Sequence, residues 1–173
     1  IRTFQRALKL APEDGDIVRD LGIASFRAGQ MDAAVRYLAK SLSLRNDDEN
    51  TIIYLGRAYD TAGNFPEALR TLKLLEGRPA MTADGHYHLA IAYGKTNDQG
   101  ASHYHFGRYF KEKKKNESAL FHFKAALNSL ALDDPRRADS VKEMEDLEKE
   151  NPPKSPTRKA RGDDRLRSRM TGD

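Results

Sequence analysis

The chain has no cysteine and few aromatic residues, which make up 8% of its 173 positions. The absence of cysteine excludes disulfides, thiolate zinc ligands and cysteine nucleophiles. It does not define the compartment, because reducing and oxidising compartments both hold cysteine-free proteins. With only 38% hydrophobic residues, the chain is expected to have a thin, distributed core rather than one wide core.

Long apolar runs are also missing. No stretch approaches the roughly 18 apolar residues that a membrane-spanning helix needs, so the sequence predicts no transmembrane segment. The chain begins with Ile1 rather than Met, inside a predicted helix. We therefore expect an excised segment of a longer protein, in which a signal peptide or a catalytic domain upstream would not be visible.

Sequence signatures of enzymes are absent. There is no HExxH, no G-x-S-x-G and no glycine loop that would cradle a phosphate. Two acidic pairs, Asp47-Asp48 and Asp133-Asp134, stand where helices are predicted to begin, and a helix N-terminus favours negative charge. We interpret these pairs as helix caps, and the sequence predicts no catalytic site, no cofactor and no small-molecule substrate.

The five histidines raise the question of a metal site. His86 and His88, like His103 and His105, are two residues apart, which places each pair on roughly opposite sides of a helix. His86 and His103 are expected to converge only if they lie on adjacent helices. No acidic residue at helical spacing completes a ligand set around them. The sequence therefore predicts no metal site.

The net charge of +4 comes from the C-terminal end of the chain. Residues 154–173 hold seven basic and three acidic residues, so the rest of the chain is neutral. Nucleic-acid binding by the body is disfavoured, because it depends on concentrated Lys and Arg. The cluster Lys111–Lys115 is interpreted as a solvated helix C-terminus. Residues 151–173, which begin with Pro152-Pro153, are predicted to be a basic disordered tail.

A repeat dominates the rest of the sequence. Two sequence features recur at intervals of 34 residues. The first is a leucine followed by a small residue, and the second, further along each repeat, is an alanine with a leucine four positions after it. The pairs are Leu21-Gly22, Leu55-Gly56 and Leu89-Ala90, and the later features are Ala34 with Leu38 and Ala68 with Leu72. A period of this length is typical of a helix-turn-helix solenoid, so the predicted fold class is all-α.

The predicted solenoid covers residues 1–150, with about nine antiparallel helices. Its parts are a partial repeat at 1–12, repeats near 15–48, 49–82 and 83–131, and a polar capping helix at 135–150. Glycine inside a helix costs about 1 kcal/mol relative to alanine. Gly22 and Gly56 are therefore predicted to allow close contact with the second helix, with Ala34 and Ala68 as the matching small surface.

The period breaks after the third pair. The sequence pattern of residues 85–93 recurs in residues 102–110, only 17 positions later, which is half a repeat. We expect helices near 83–95, 100–113 and 117–131, with the middle one in the position of a second helix. The short connection between the first two should make them antiparallel.

The residues of the first two full repeats resemble the tetratricopeptide (TPR) repeat, although Val18 and Ile52 stand where that family favours tryptophan. The resemblance implies a concave face, lined mainly by first helices, that binds a protein or peptide partner. The positions that correspond to this face are Arg19, Ile23, Phe26, Arg27, Ile53, Arg57, Asp60, Tyr87, Ile91 and Lys95. Arginine and tyrosine are the expected anchors for an extended or helical peptide, and some of the ten residues could instead complete the core.

The resemblance also argues against one TPR subclass. Ile23 and Ile53 stand where TPRs that clamp a C-terminal carboxylate have polar residues, so capture of a chaperone tail is disfavoured.

A narrower resemblance concerns residues 100–137. The segments 102–110, 119–127 and 134–137 are similar to the C-terminal TPR region of bacterial HExxH zinc metallopeptidases, relatives of the periplasmic protease that assists outer-membrane assembly. This similarity implies a bacterial, periplasmic accessory domain that holds a partner protein. The alternatives are a free-standing cytoplasmic TPR adaptor, and a protein whose basic tail binds nucleic acid or anionic membrane.

Overall fold

A computed structural model describes residues 1–76, 78 and 81–150, with only the backbone of Gln5. In these ranges the chain forms nine α-helices and no strand. They are α1 (Arg2–Leu10), α2 (Gly15–Arg27), α3 (Met31–Leu44), α4 (Glu49–Thr61), α5 (Phe65–Leu72), α6 (Ala83–Lys95), α7 (Gln99–Glu112), α8 (Asn116–Ser129) and α9 (Pro135–Glu150). A 3₁₀ turn, Lys73–Leu75, follows α5. No helix among the described residues is long and apolar enough to cross a membrane.

The helices stack as an α-solenoid, as the repeat predicts. Each helix packs on the next along the chain, and α4 also contacts both α2 and α6. The helices α2, α4 and α6 therefore form one row, with α3 and α5 behind it. The bounds of α6 to α9 lie within two residues of the predicted positions. The predicted basic tail at 151–173 lies outside the described residues.

Side-chain caps begin the helices that open each repeat. Asp14 Oδ1 accepts hydrogen bonds from the backbone of Asp16 at 2.9 Å and Ile17 at 3.1 Å, and Thr82 Oγ1 caps α6 in the same way. Asp48 caps α4, and Asp134 Oδ1 accepts from the backbone N–H of Arg136 at the start of α9. The capping role predicted for one member of each acidic pair is thus confirmed.

Close helix contact at the repeat glycines is confirmed, but the predicted partner is wrong. A Cβ added to Gly22 would lie 2.6 Å from Leu38 Cγ, and one added to Gly56 would lie 2.5 Å from Leu72 Cγ. The glycines therefore accommodate the leucines rather than Ala34 and Ala68. The reason is that a helical side chain leans toward the helix N-terminus, so it covers the turn before its own Cα.

The turns show how the repeat continues past its break. The backbone adopts a positive φ in four turns, at Gly29, Gly63, Asn97 and Lys114. Each of these residues stands seven positions after the small residue of its first helix, namely Gly22, Gly56, Ala90 and Gly107. The turns α6–α7 and α7–α8 are therefore both of the kind that joins a first helix to a second one.

Helix α7 consequently has two roles. It is the second helix for α6, as predicted, and it is also the first helix for α8. A Cβ added to Gly107 would lie 2.6 Å from Phe123 Cδ1 on α8, in close agreement with the contacts of Gly22 and Gly56. Helix α9 contacts α7 as α4 contacts α2. First helices after the break thus belong to the row of α7 and α9, and not to the row of α2, α4 and α6.

Candidate functional site

Most of the predicted partner-binding residues border two clefts on the side of α2, α4 and α6, which we call the front face. A cleft of about 330 Å³ lies between these helices, and it contains five predicted residues: Phe26, Arg57, Asp60, Tyr87 and Ile91. A second cleft of about 600 Å³ contains Ile23 and Arg27, together with residues of α1. The structure thus brings seven of the ten predicted residues to one face.

An arginine flanked by two aromatic rings is the most organised feature of this face. The guanidinium carbon of Arg57 lies 4.9 Å from the ring centres of both Phe26 and Tyr54. The two rings meet edge to face at 5.7 Å, and Arg27 Nη2 donates to the Tyr54 hydroxyl at 3.3 Å. Because the rings fix the side chain of Arg57, its remaining N–H groups can receive a carboxylate or a carbonyl at little entropic cost.

Two of the other predicted residues are held by ion pairs within the molecule. Arg19 contacts Asp16 at 2.7 Å, Asp20 at 2.9 Å and Asp48 at 3.4 Å. Burial of Asp48 opposes its ionisation, but hydrogen bonds from Thr51 and Arg19 outweigh burial and hold the pKa of Asp48 below its usual value. Arg19 therefore links α2 to the start of α4.

Lys95 likewise links α6 to the preceding repeat. Its Nζ donates to Asp60 Oδ1 at 2.6 Å and lies 4.7 Å from the ring centre of Phe65. A partner that binds Lys95 or Asp60 has to compete with this ion pair.

Ile53 differs from the prediction. Its side chain is only 7% exposed and packs in the core with Leu89 and Tyr93. The next residue, Tyr54, reaches the front face instead. The register assumed from the sequence therefore holds at Arg57 and Asp60 but not at position 53, where the α4 side chain packs toward α6, and Tyr54 was missed for that reason.

His88 also lines the front cleft and was missed by the sequence reasoning. Burial, and then the proximity of Arg57, lowers the pKa of His88 to about 4. The ring is therefore neutral at pH 7 and offers a hydrogen-bonding group without charge. His88 directly follows the expected concave residue Tyr87, and it gave no usable signal in the sequence.

The histidines pair differently from the prediction. His86 Nδ1 lies 3.0 Å from His105 Nδ1, and His103 Nδ1 lies 3.0 Å from His122 Nδ1. His86 thus pairs with His105 and not with His103, the histidine that the sequence offered as a possible neighbour. Because α6 and α7 are antiparallel, a residue early in α6 faces the middle of α7 rather than its own equivalent in the repeat.

The first histidine pair lies beside a cavity of about 760 Å³ on the other side of the molecule, which we call the rear cavity. It is bordered by the 3₁₀ turn and by α6, α7 and the start of α9. His105 Nε2 donates to Glu76 Oε1 at 3.3 Å, and the Tyr93 hydroxyl donates to the same oxygen at 2.6 Å. Since the Glu76 carboxylate only accepts, His105 carries its proton on Nε2, and His86 donates from Nδ1.

Burial controls the protonation of this pair. It lowers the pKa of His86 to about 3, and the neighbouring His105 adds to the effect. Burial also lowers the pKa of His105, despite the opposing contact with Glu76. Both rings are neutral at pH 7. Within the residues that the structure describes, no group of three or more His, Asp or Glu side chains is arranged to hold a metal ion.

Residues 25–92 match the family model described as the tetratricopeptide repeat. This segment therefore resembles tetratricopeptide repeats. The matched segment runs from the end of α2 to α6 and includes most of the front face.

Solved structures show the same fold over most of the chain. One of MamA has a TM-score of 0.62 at 17% identity and covers 86% of this chain and 84% of that chain. YrrB, described as a TPR protein with an unusual peptide-binding site, has a TM-score of 0.53 at 17% identity, covering 87% and 85%. PilW, a type IV pilus biogenesis factor, has a TM-score of 0.54 at 12% identity, covering 86% and 81%. No curated protein sequence matches the chain significantly.

The TPR register also identifies the counterparts of the front-face residues on α7. Tyr104 and Arg108 stand 85 positions after Arg19 and Ile23, and both border the rear cavity. The Tyr104 hydroxyl donates to Asp139 Oδ2 on α9 at 2.5 Å, and Arg108 Nη1 donates to the same oxygen at 3.2 Å. Burial, and then this hydrogen bond, raises the pKa of Tyr104 to about 12. The inner face of the last hairpin is therefore occupied by contacts with α9.

Proposed function

We propose that the chain is a protein-interaction module that binds an extended or helical peptide segment of a partner on its front face. The observation that carries this proposal is Arg57 fixed between Phe26 and Tyr54, with Tyr87 at the same cleft and 38% exposed. Arginine and tyrosine in this arrangement are the residue types that dominate binding energy in protein interfaces. The fold shared with YrrB, a TPR protein with a peptide-binding site, supports the proposal.

The test is an affinity capture with wild-type protein and two matched double variants. Arg57→Glu with Tyr87→Ala removes the two anchors, whereas Arg36→Glu with Tyr37→Ala makes the same chemical changes on α3, behind the front face. We expect specific proteins to be retained by wild type and by the α3 variant and to be lost from the front-face variant. Circular dichroism of all three proteins checks that helicity is retained. Equal capture by both variants would contradict the proposal.

We further propose that the module is the accessory domain of a larger bacterial envelope metallopeptidase. The support is the resemblance of residues 100–137 to the TPR region of those enzymes. The gene sequence upstream provides the test, because this proposal requires an HExxH motif and a signal peptide there. A start codon directly before Ile1 would instead favour the free-standing cytoplasmic adaptor.

A further inference from the structure

The front face continues beyond the cleft as a strip of aromatic side chains. The ring of Tyr87 on α6 lies 5.2 Å from that of Tyr109 and 6.1 Å from that of Phe106, both on α7. Phe110 then stacks on His122 of α8, with 5.2 Å between ring centres and 16° between planes. We call these five residues the aromatic strip. It connects the cleft at Arg57 to the α7–α8 turn.

Three lysines occupy that turn at the end of the strip. Lys113, Lys114 and Lys115 are all exposed. Lys113 Nζ lies 5.8 Å from the ring centre of Tyr109, and Lys115 Nζ lies 6.0 Å from that of Phe110. Two of the three ammonium groups therefore lie at the outer limit of cation–π distance from the rings that end the strip.

No ion pair compensates the positive charge of this turn in the described part of the chain, although Lys113 acts electrostatically on its neighbour Glu112. None of the three lysines forms a salt bridge with a described residue, whereas Lys111, one helical turn earlier, pairs with Glu143 of α9. The C-terminus of α7 favours positive charge, but that effect acts over a single helical turn and amounts to about 0.3–1 kcal/mol for a side chain. Moreover, Lys114 has φ 57° at a turn position where the earlier repeats have Gly29 and Gly63. A lysine at this position therefore has a steric cost that glycine would avoid.

From this juxtaposition of a partly buried aromatic strip and three lysines that form no ion pair with a described residue, we infer that the partner segment is acidic and carries aromatic or aliphatic side chains. Its carboxylates lie at Lys113, Lys114 and Lys115, and its apolar side chains lie on the strip. The inference rests on the proposed function, and it names the chemistry of the partner and the direction in which the groove extends.

A single-stranded nucleic acid is the other ligand that rings and lysines can accommodate. The front face argues against it. Asp60 and Asp84 both act on His88 in the cleft, so the positive charge of Arg57 and of the turn is interrupted there, whereas a phosphate backbone favours a continuous positive groove. An acidic peptide can place uncharged residues there, because its charges need not be evenly spaced.

The experiment uses the full chain and a fluorescent peptide of about twelve residues, in which Glu alternates with Phe and Leu. The peptide is acetylated and amidated, so that only side-chain carboxylates contribute; a second peptide has a free C-terminal carboxylate, and a third has Gln for every Glu. The test variant is Lys113→Gln, Lys114→Gln, Lys115→Gln. The control variant makes the same charge change at three exposed lysines of α1 and α9, Lys9, Lys142 and Lys149.

We expect the test variant to bind the acidic peptide about tenfold more weakly than wild type at low salt, because unscreened charges then contribute most. The control variant and wild type should bind the acidic peptide with equal affinity. Wild type should bind the Gln peptide about tenfold more weakly than the acidic peptide. Equal affinity of the test variant, or a requirement for the free C-terminal carboxylate, would overturn the inference. Tighter binding of a single-stranded oligonucleotide at the same salt would also overturn it.

The outcomes separate this inference from the proposed function. If Arg57→Glu with Tyr87→Ala abolishes partner capture while the lysine variant binds the acidic peptide as wild type does, the front face is the binding site and the acidic partner is wrong. If neither variant changes capture or binding, both proposals fail.

Discussion

The regular region, α2 to α5, and the region after it, α6 to α9, are built from the same local pieces but arranged differently. In both, a small residue in a first helix admits a large side chain of the next helix, and a residue with positive φ follows seven positions later. The regular region uses each helix once. In the second region α7 is used twice, as a second helix and as a first one. Because one helix is skipped, the first helices after the break lie in the other row. The packing within each hairpin and the positive-φ turn stay the same.

The two regions also differ in what their inner residues do. On the front face Arg57 and Tyr87 keep hydrogen-bonding capacity at an open cleft. On α7 the corresponding Tyr104 and Arg108 are bonded to Asp139 of α9. The comparison teaches that a TPR register identifies an inner position, whereas the neighbouring helix decides whether that position is available to a partner.

Lowering the pH should produce the largest difference in stability between the two regions, because His86 is the first histidine of the chain and all five histidines therefore lie in the second region. The pKa of His86 is about 3 in the folded protein and near 6.5 when unfolded, so below pH 6.5 the unfolded state binds the additional proton. Stability is complete above pH 6.5 and falls toward pH 3. From about pH 7 to about pH 5 the loss is about 2 kcal/mol from His86 alone, with His88 and His105 acting in the same direction.

Urea unfolding at the two pH values measures that loss. Native-state hydrogen exchange, corrected for intrinsic rates, should assign it to amides of α6 and α7, while α2 and α3 keep their protection. A urea midpoint that is the same at both pH values would show that the histidine pair is not buried as described.

Alanine substitution of glycines tests the double role of α7. Gly56→Ala and Gly107→Ala should each destabilise by about 2 kcal/mol, because the added methyl group overlaps Leu72 or Phe123 and the gain in helix propensity offsets only part of the strain. Gly94→Ala meets only the side chain of Ser102, with Oγ at 3.2 Å and Cβ at 3.9 Å, and should lie within about 0.5 kcal/mol of wild type. Chemical denaturation of the three variants gives the values. If Gly107→Ala behaved like Gly94→Ala, α7 would not be a first helix for α8.

The smallest effect is expected at the turns. Lys114→Gly should stabilise the protein by about 0.5–1 kcal/mol, because glycine adopts the positive φ without the steric cost of a Cβ. Gly63→Ala, at the corresponding turn of the regular region, should destabilise by a similar amount. Thermal unfolding followed by circular dichroism measures both changes. The same sign for the two substitutions would mean that the turns are not equivalent.

Much of the fold could be predicted from the sequence because the period is local. The 34-residue recurrence predicted the solenoid, and the echo of residues 85–93 at 102–110 predicted α7 as a separate helix. The contacts between helices were harder to predict from the sequence. Ala34 and Ala68 were chosen as partners for the glycines by size alone, whereas the direction of helical side chains gives that role to Leu38 and Leu72.

The candidate site was predicted in part. Seven of the ten residues border the front clefts, but Ile53 is buried and Tyr54 takes its place. Positions 53 and 54 are both apolar or aromatic and lie about 100° apart on α4, so the hydrophobic pattern does not show which of the two faces the core. Whether these residues bind a partner stays a prediction.

By itself, the sequence determined that the chain is helical, where α6 to α9 begin and end to within two residues, and that its repeats stack, because spacing, caps and turn glycines act over a few residues. Only the tertiary structure decided that α7 serves two hairpins, that His86 meets His105, and that the tyrosine and arginine of α7 are bonded to α9. The physical reason is that these contacts join residues 19 to 35 positions apart. They depend on how each helix is rotated against its neighbours, and packing of the whole solenoid sets that rotation.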